Sequence, residues 1–375
     1  MIHKGSSSQE YSASSEIIRG HLLALFAFDV GYEVALDKLA ALFAAARVQP
    51  LSRKRQTPAY LQFAIPPVTL ELETRQEYCD APASLQATVF DFGAVSLAYR
   101  YPLPFGDGLS LEHLAQIGAE LYGRNLETIA WQDAHSLVER IAPAIHRPRL
   151  SDLIEDYYLY VLEAQPKLTA KVLQTDFRRE LAQALTFETS QLSDFQIEET
   201  LNQSISYLQT DLTIVDWNAA MIFDCDYEDT VRVLELLNVE LLEARYIDRM
   251  LDQKVKVYAG LLQKPSAWPV PLRTPYRRAL QELTEWRLES TVLSERVTNA
   301  LKLIGDLYLS RVHAAAAAKV HLPEWEKIIA EKIQILDELY DRMDDRVRTA
   351  QSQTLEVIIV ALIVVELFLA LVGHR

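Results

Sequence analysis

The sequence predicts an α+β N-terminal domain, followed by an antiparallel helical coiled-coil stalk and one C-terminal transmembrane helix. Up to residue 226, short apolar runs of strand length alternate with helical segments. From Asp229 onward, apolar residues recur at alternating spacings of three and four, a pattern typical of helices packed as coiled coils. Residues 355–372 are almost entirely apolar, as a membrane-spanning helix requires. These three observations define the fold class.

Composition indicates a folded, acidic chain, with a formal net charge of -15 and a charged content of 24%. Nucleic acid repels such a chain, so we expect no nucleic-acid partner. Cys79 and Cys225 are far apart in the chain, which fits a reducing compartment and gives no zinc or redox motif. Residues 1–15 are polar and Ser-rich without an apolar signal segment. We therefore expect a disordered tail and a bacterial-type cytoplasmic body.

Residues 16–226 read as the α+β domain. HLLALFAFDV, starting at His21, has strand length and is followed by Gly31 and an amphipathic helix. Residues 84–103 alternate apolar and polar residues about Gly93, as a hairpin or bulged strand pair does. Helices follow after Ser110, a candidate N-cap, and over residues 128–142; DYYLYVLEA, at residues 156–164, is strand-like. Strands with interspersed helices predict one α+β domain.

No catalytic motif or cofactor site is predicted. Asp91, Phe92 and Gly93 spell the magnesium motif of protein kinases, but no Gly-rich phosphate loop or catalytic loop accompanies them. The most unusual polar residues are Asp216, Asn218 and Asp224, which interrupt or follow apolar runs. They fit a hairpin whose polar side chains bond their own backbone. Alternatively, they face a cleft where clustered carboxylates hold a divalent cation.

Residues 229–354 predict three antiparallel helices in a coiled-coil region. Prolines between positions 265 and 275 separate the first two helices, and a break near His321 precedes a third that starts at Pro323. Asp248 falls on the seam of the first helix, where a carboxylate is costly unless an arginine pairs with it. We interpret Asp248 as a residue that sets register. The predicted seams run through Leu234, Leu237, Leu241, Ala244, Asp248, Leu251, Val255 and Tyr258, then Leu283 to Leu307, then Ile329, Ile333, Leu336, Tyr340, Met343, Val347 and Ala350.

The third helix has no breaker before residue 355 and should continue into the membrane span. Glu356 would lie at the membrane interface and Glu366 inside the hydrocarbon. An ionised carboxylate there costs at least ~2.5 kcal/mol, so Glu366 must be protonated, paired or drawn to the far interface. Pairing in a packed cluster of spans makes both acids candidate oligomer contacts. The alternative is a soluble oligomer with this helix buried at an interface.

The strand motif VFDFGAV and the terminal LEVIIVALIVVEL, with Leu355, Glu356 and Glu366, resemble the family of "required for meiotic nuclear division" proteins. The order of elements is similar over roughly residues 21–372, and the segments IVDWNAAMIFD and LLEARYIDRMLD resemble a bacterial branch. Members are membrane-associated, and the mitochondrial ones are linked to support of organellar translation as oligomeric inner-membrane assemblies. The resemblance implies no catalytic residues and no cofactor.

These features lead to a function hypothesis with two rivals. The main hypothesis is a tail-anchored membrane scaffold or tethering protein without catalytic activity, which forms homo-oligomers and binds a further protein partner. The first rival is a metal-dependent enzyme with its site near Asp216, Asn218 and Asp224. The second is the soluble oligomer described above.

Overall fold

The computed structural model divides the chain into two units. The first unit comprises residues 1–243 and 299–322, and the second comprises residues 244–298 and 323–375. The residues that the structure describes are 19–43, 47–48, 66–74, 77–78, 81–103, 111–163, 169–263, 280–281, 284 and 307–372. The predicted tail, Cys79, Ser110 and most of the predicted second stalk helix lie outside them.

The first unit is built on a nine-stranded sheet with strand β1 near its centre. The strand order is β11-β12-β13-β10-β1-β8-β7-β4-β3, and two short two-stranded ribbons pair β2 with β9 and β5 with β6. The strands are β1 (Gly20–Asp29), β2 (Glu33–Val34), β3 (Arg47–Val48), β4 (Val68–Leu72), β5 (Glu77–Tyr78), β6 (Ala81–Pro82), β7 (Ser84–Val89), β8 (Ala94–Leu103), β9 (Ile145–His146), β10 (Ile154–Leu162), β11 (Ser204–Ile205), β12 (Leu212–Val215) and β13 (Ala219–Phe223).

The sheet is mixed. Strand β1 pairs antiparallel with both β8 and β10, whereas β10 and β13 run parallel. A parallel pair needs a long crossover, and three short helices lie on this one. Within the described residues, the helices with defined bounds are α1 (Leu36–Leu42), α2 (Leu111–Tyr122), α3 (Leu126–Ile141), α4 (Ala170–Asp176), α5 (Arg178–Thr186), α6 (Asp194–Leu201), α7 (Glu228–Gln263), α8 (Leu307–Lys319) and α9 (Leu322–Val372), with a 3-10 turn at Ala142–Ala144.

One face of the sheet, here called the front face, packs against helices α1 to α6. Leu22, Ala24, Phe26 and Phe28 of β1 point to this side and join one apolar core with residues of those helices. The ring of Phe26 meets those of Tyr99 and Tyr158 edge-on, a favourable aromatic geometry. Alternation along β1 therefore places every second residue in this core.

The opposite, back face is covered by α8 and by the part of α7 that belongs to the first unit. Asn238 of α7 donates from Nδ2 to the carbonyl oxygen of Glu155 on β10 at 3.0 Å. The hydroxyls of Thr213 on β12 and Tyr308 on α8 lie 2.8 Å apart. Leu234 and Leu237, which the sequence assigns to a coiled-coil seam, belong to this first unit and are buried there.

The predicted α+β region with its strands at residues 21–30, 84–103 and 156–164 is confirmed, although β10 begins and ends two residues earlier than the last of these, and the sheet is mixed. The predicted helix at residues 128–142 is confirmed as α3, which has almost the same bounds. Helices α4 to α6 were not predicted, because each has at most nine residues and a short helix shows little periodicity.

The C-terminal helix is a single element of 51 residues, α9. It starts one residue before Pro323, and His321 in front of it has a left-handed φ of 55°, so the predicted break is present. One helix of the described chain, within residues 322–369, is long and apolar enough to cross a membrane. The three-helix coiled coil stays a prediction, since most of its second helix lies outside the described residues.

Gly118 on α2 provides a test of the front-face packing. A Cβ at this position would lie 1.7 Å from Oη of Tyr160, a buried side chain that donates to the carbonyl oxygen of Ala184 at 3.0 Å. Although alanine favours a helix over glycine by about 1 kcal/mol, Gly118→Ala should lower the free energy of unfolding by about 2–3 kcal/mol through overpacking. Thermal unfolding of the full chain in detergent measures this loss.

Gly260 of α7 is the matched control, because nothing lies within 4 Å of a Cβ there. Gly260→Ala should leave the protein equally stable or raise its stability by up to about 1 kcal/mol. Equal midpoints for Gly118→Ala and the wild type would contradict the packing described for Tyr160.

Candidate functional site

A polar cleft opens on the back face of the sheet. Its floor is formed by strands β1, β8, β7 and β4, and one side of α7 forms its wall. The cavity volume is about 70 Å³. Most wall residues are spaced as one helix face requires, at positions i, i+3, i+4, i+7 and i+8: Glu228, Val231, Arg232, Glu235 and Leu236. Val233 lines the cleft beside them.

Glu235 is a buried acid that lines this cleft. Its side chain is 7% exposed, and its Oε1 atom has no hydrogen-bond partner. Burial raises the pKa of Glu235, while the hydroxyls of Ser96 and Thr88 and the charge of Arg232 oppose that rise. Ser96 and Thr88 face each other across β8 and β7, so the acid sits over one cross-strand pair of hydroxyl side chains.

Two arginines bring positive charge to the same cleft. A guanidinium nitrogen of Arg100 on β8 lies 3.6 Å from Oε1 of Glu228, beyond hydrogen-bond distance. The Nε atom of Arg100 is buried without a hydrogen-bond partner. Arg232 is held more closely, with Nη1 3.3 Å from Oδ1 of Asp229. The cleft thus combines hydrogen-bonding groups of both charges on an apolar floor.

A second buried set of charges lies at the end of β1. Arg149 binds both carboxylate oxygens of Asp29, at 3.2 Å from Nε and 3.1 Å from Nη2. Burial raises the pKa of Asp29, and the Arg149 charge opposes that rise. Glu243 of α7 is 1% exposed, and neither of its carboxylate oxygens has a hydrogen-bond partner. Burial and the nearby Asp29 hold the pKa of Glu243 well above its usual range.

Another buried acid of α7 pairs with a histidine of α8. Glu240, 1% exposed, lies 2.9 Å from Nε2 of His313 on α8. Sequence reasoning missed all these acids, because periodicity marks them as ordinary polar positions of a helix. A signal existed in the run VLELLNVELLEA, where acids stand among leucines on every side of the helix.

The structure places Asp216 and Asn218 in the turn of the β12–β13 hairpin. The backbone N–H of Asp216 donates to the carbonyl oxygen of Ala219 at 2.9 Å. The side chain of Asp216 pairs with Nζ of Lys319 at 3.2 Å. Burial raises the pKa of Asp216, and the Lys319 charge opposes that rise.

Asp224 lies at the other end of β13 and accepts a hydrogen bond from the backbone N–H of Asp226 at 3.1 Å. Five strand residues separate it from the hairpin turn, about 16 Å at the usual rise. The structure therefore does not bring Asp216 and Asp224 together. Among the described residues, no group of three or more His, Cys, Asp or Glu side chains is arranged to hold a metal ion.

The three other predicted residues lie in the second unit. Asp248 pairs with Lys332 of α9 at 2.6 Å, so its cation is a lysine rather than an arginine. Asp252 pairs with the same lysine at 2.7 Å. Glu356 and Glu366 are exposed on α9.

Glu243→Gln tests the account of the buried acids through the pH dependence of stability. In the wild type the folded chain holds a proton on Glu243 above pH 4.5, where the unfolded chain releases it. The free energy of unfolding therefore falls as the pH rises through this window. Glutamine removes the titration, so relative to the wild type the variant should gain about 1–2 kcal/mol between pH 5 and pH 7.

The measurement is denaturant unfolding across that pH range, with Glu139→Gln as control because Glu139 is exposed on α3. A variant whose pH profile runs parallel to the wild type would contradict the raised pKa of Glu243.

Comparison with known proteins gives a family. The family described as "Uncharacterized protein MJ0711, N-terminal domain" matches residues 19–230, a span that contains every strand of the sheet. The uncharacterized protein MJ0711 of Methanocaldococcus jannaschii is 25% identical over 193 residues. This alignment covers 51% of the present chain and 58% of the archaeal relative, less than two thirds of its length. No solved structure gives a significant match.

These findings support a domain of unknown function, as the sequence predicts. They carry no support for the "required for meiotic nuclear division" family or for a bacterial source, which therefore stay predictions. The family match covers more than half of the chain. The protein belongs to the family of the uncharacterized protein MJ0711 N-terminal domain.

Proposed function

We propose that this protein is a membrane-anchored, self-associating scaffold that tethers a partner protein through its α+β domain on the cytoplasmic side. The observation that carries the proposal is the last part of α9. Its most apolar window of 18 residues has a mean hydropathy of 2.1 and is not buried at all within the chain. A core helix of a soluble protein would instead be covered by its own chain.

The transfer free energies and the length of this segment favour a membrane around it. Among residues 355–369, twelve large apolar side chains are between 49% and 65% exposed. Covering them is worth on the order of 10 kcal/mol, against about 2.5–3.5 kcal/mol for placing the Glu366 carboxylate in hydrocarbon. Eighteen helical residues span about 27 Å, close to a hydrocarbon thickness of about 30 Å. The span is therefore long enough and favourable despite its acid.

Self-association follows from Glu366. A lone span leaves this carboxyl without a hydrogen-bond partner in lipid, whereas the same residue of a second copy can supply one. Charged side chains within spans generally face other protein rather than lipid. The proposed oligomer therefore forms around Glu366, with Glu356 at the membrane interface.

The second unit supports a coiled-coil region. Ile329, Leu336 and Met343 of α9 are seven residues apart and buried, as is Val347. On α7, the predicted seam residues Ala244, Leu251 and Tyr258 are buried as well. A repeat of seven is the seam of a coiled coil, and the Lys332 pairs with Asp248 and Asp252 are suited to fixing its register.

The resemblance to the "required for meiotic nuclear division" family supports the same function, because its members are membrane-associated and its mitochondrial members form oligomeric assemblies. Arg346 and Arg348 precede the span, which favours a cytoplasmic body under the positive-inside rule. A bacterial-type member with a single C-terminal anchor fits these features.

Fractionation with a carbonate wash tests the anchor. The full-length chain should stay in the membrane pellet, and a form stopped at Thr354 should move to the supernatant, because only the former keeps the apolar span. The proposal would be refuted if both forms were soluble and monomeric, or if both stayed in the pellet after the wash.

Glu366→Leu tests the oligomer separately from the anchor. The variant should remain in the pellet but lose its oligomeric mass in detergent, measured by light scattering after size exclusion. Glu356→Leu is the matched control and should keep the oligomer, because an interfacial acid can be hydrated. An unchanged mass for Glu366→Leu would refute the role of Glu366 without touching the anchor.

A further inference from the structure

We propose that the back-face cleft binds a small zwitterionic metabolite, with its ammonium group against Glu235 and its carboxylate at Arg100. This site is independent of the membrane proposal. It consists of side chains from β8, β7, β4 and α7, all within the first unit.

The cleft contains two polar atoms that lack hydrogen-bond partners. Oε1 of Glu235, an acceptor when ionised, and Nε of Arg100, a donor, are both buried without a hydrogen-bond partner, and both residues line this cleft. A buried polar atom without a partner lowers stability. A ligand that offers a donor at one end and an acceptor at the other removes both costs, which makes these two atoms its anchor points.

The distance between Glu235 and Arg100 sets the length of the ligand. Glu235 lies near Ser96, and Arg100 lies four residues further along the same strand and therefore on the same face. The two backbone positions on β8 are about 13 Å apart. Both side chains are long and bridge part of that distance, so the ligand's two charged groups need a spacer of a few carbon atoms.

The cavity volume limits the size of the ligand. A cavity of about 70 Å³ holds roughly five to seven water-sized spheres at about 10–15 Å³ each. A compact amino acid with about seven non-hydrogen atoms matches this space. Thr69, Gln86 and Thr88 also line the cleft and add neutral donors and acceptors along the ligand.

The lining residues of both signs disfavour ligands whose charges are all of one sign. A dication would meet Arg100 and Arg232, and a dianion would meet Glu228 and Glu235. Like charges brought together in a partly dry cleft repel strongly. A ligand with one group of each sign can place its ammonium at Glu235 and its carboxylate at Arg100, so that each charged group has a partner of opposite sign.

Titration calorimetry of the full chain in detergent tests the proposal with three four-carbon probes. The probes are 4-aminobutyrate, succinate and putrescine, which share one chain length and differ in their end charges. We expect 4-aminobutyrate to bind with a Kd of roughly 1 mM or tighter. Succinate and putrescine should bind at least about tenfold more weakly, as expected when one end meets a like charge.

Variants at both ends identify the site. Glu235→Gln and Arg100→Gln should each weaken 4-aminobutyrate binding by about tenfold or more, since each removes a charge-assisted hydrogen bond. The matched controls are Glu139→Gln and Arg178→Gln, which lie on α3 and α5, away from the cleft. Both controls should bind like the wild type. Thermal unfolding without ligand identifies any variant that fails to fold.

Three results would overturn the proposal. The first is the absence of heat when folded wild type is titrated with 4-aminobutyrate to tens of times the expected Kd. The second is equal affinity for all three probes. The third is undiminished binding by a folded Glu235→Gln or Arg100→Gln variant. If Glu235→Gln does not fold, Arg100→Gln alone decides the outcome.

Discussion

Strand β1 imposes the constraint on which the rest of the first unit depends, because both of its faces are apolar. Leu22 to Phe28 are at most 1% exposed without a gap, and each neighbouring strand, β8 and β10, protects only an edge. One face needs the layer of α1 to α6, and the other needs a second layer. Helix α7 supplies much of that second layer, which is why the α+β domain extends past the last strand and takes in the beginning of the helical half of the chain.

The same constraint explains the buried acids. Once α7 lies on the back face, its polar positions at 235, 240 and 243 are enclosed with it. Some of them find partners, as Glu240 finds His313. Glu243 has no partner for either oxygen, and burial together with the nearby Asp29 holds its pKa well above the usual range. Buried acids without a full set of partners lower stability. They differ in this from exposed ion pairs such as Arg178 with Glu198.

Sequence patterns predicted a large part of this architecture. The continuous apolar run of β1 and the alternation about Gly93 identify strands because side-chain period two is a local property. The left-handed break at His321 and the long helix after it follow equally from local signals. The back-face cleft could not be predicted, because it depends on which side of the sheet α7 covers. Arg100 and Glu235 are 135 residues apart, and no periodicity links them. Asp216 and Asp224 are close in sequence but lie at opposite ends of β13, because the residues between them form an extended strand.

Helix α9 has a geometric consequence for assembly. A helix turns by about 100° per residue, so Glu366, which is 23 residues after the buried Met343, points about 140° away from it around the axis. The seam within the chain and the acid in the proposed span thus occupy different azimuths of one continuous rod. A neighbour that docks on the Glu366 azimuth leaves the seam intact, so the fold of each copy and the association between copies can vary independently.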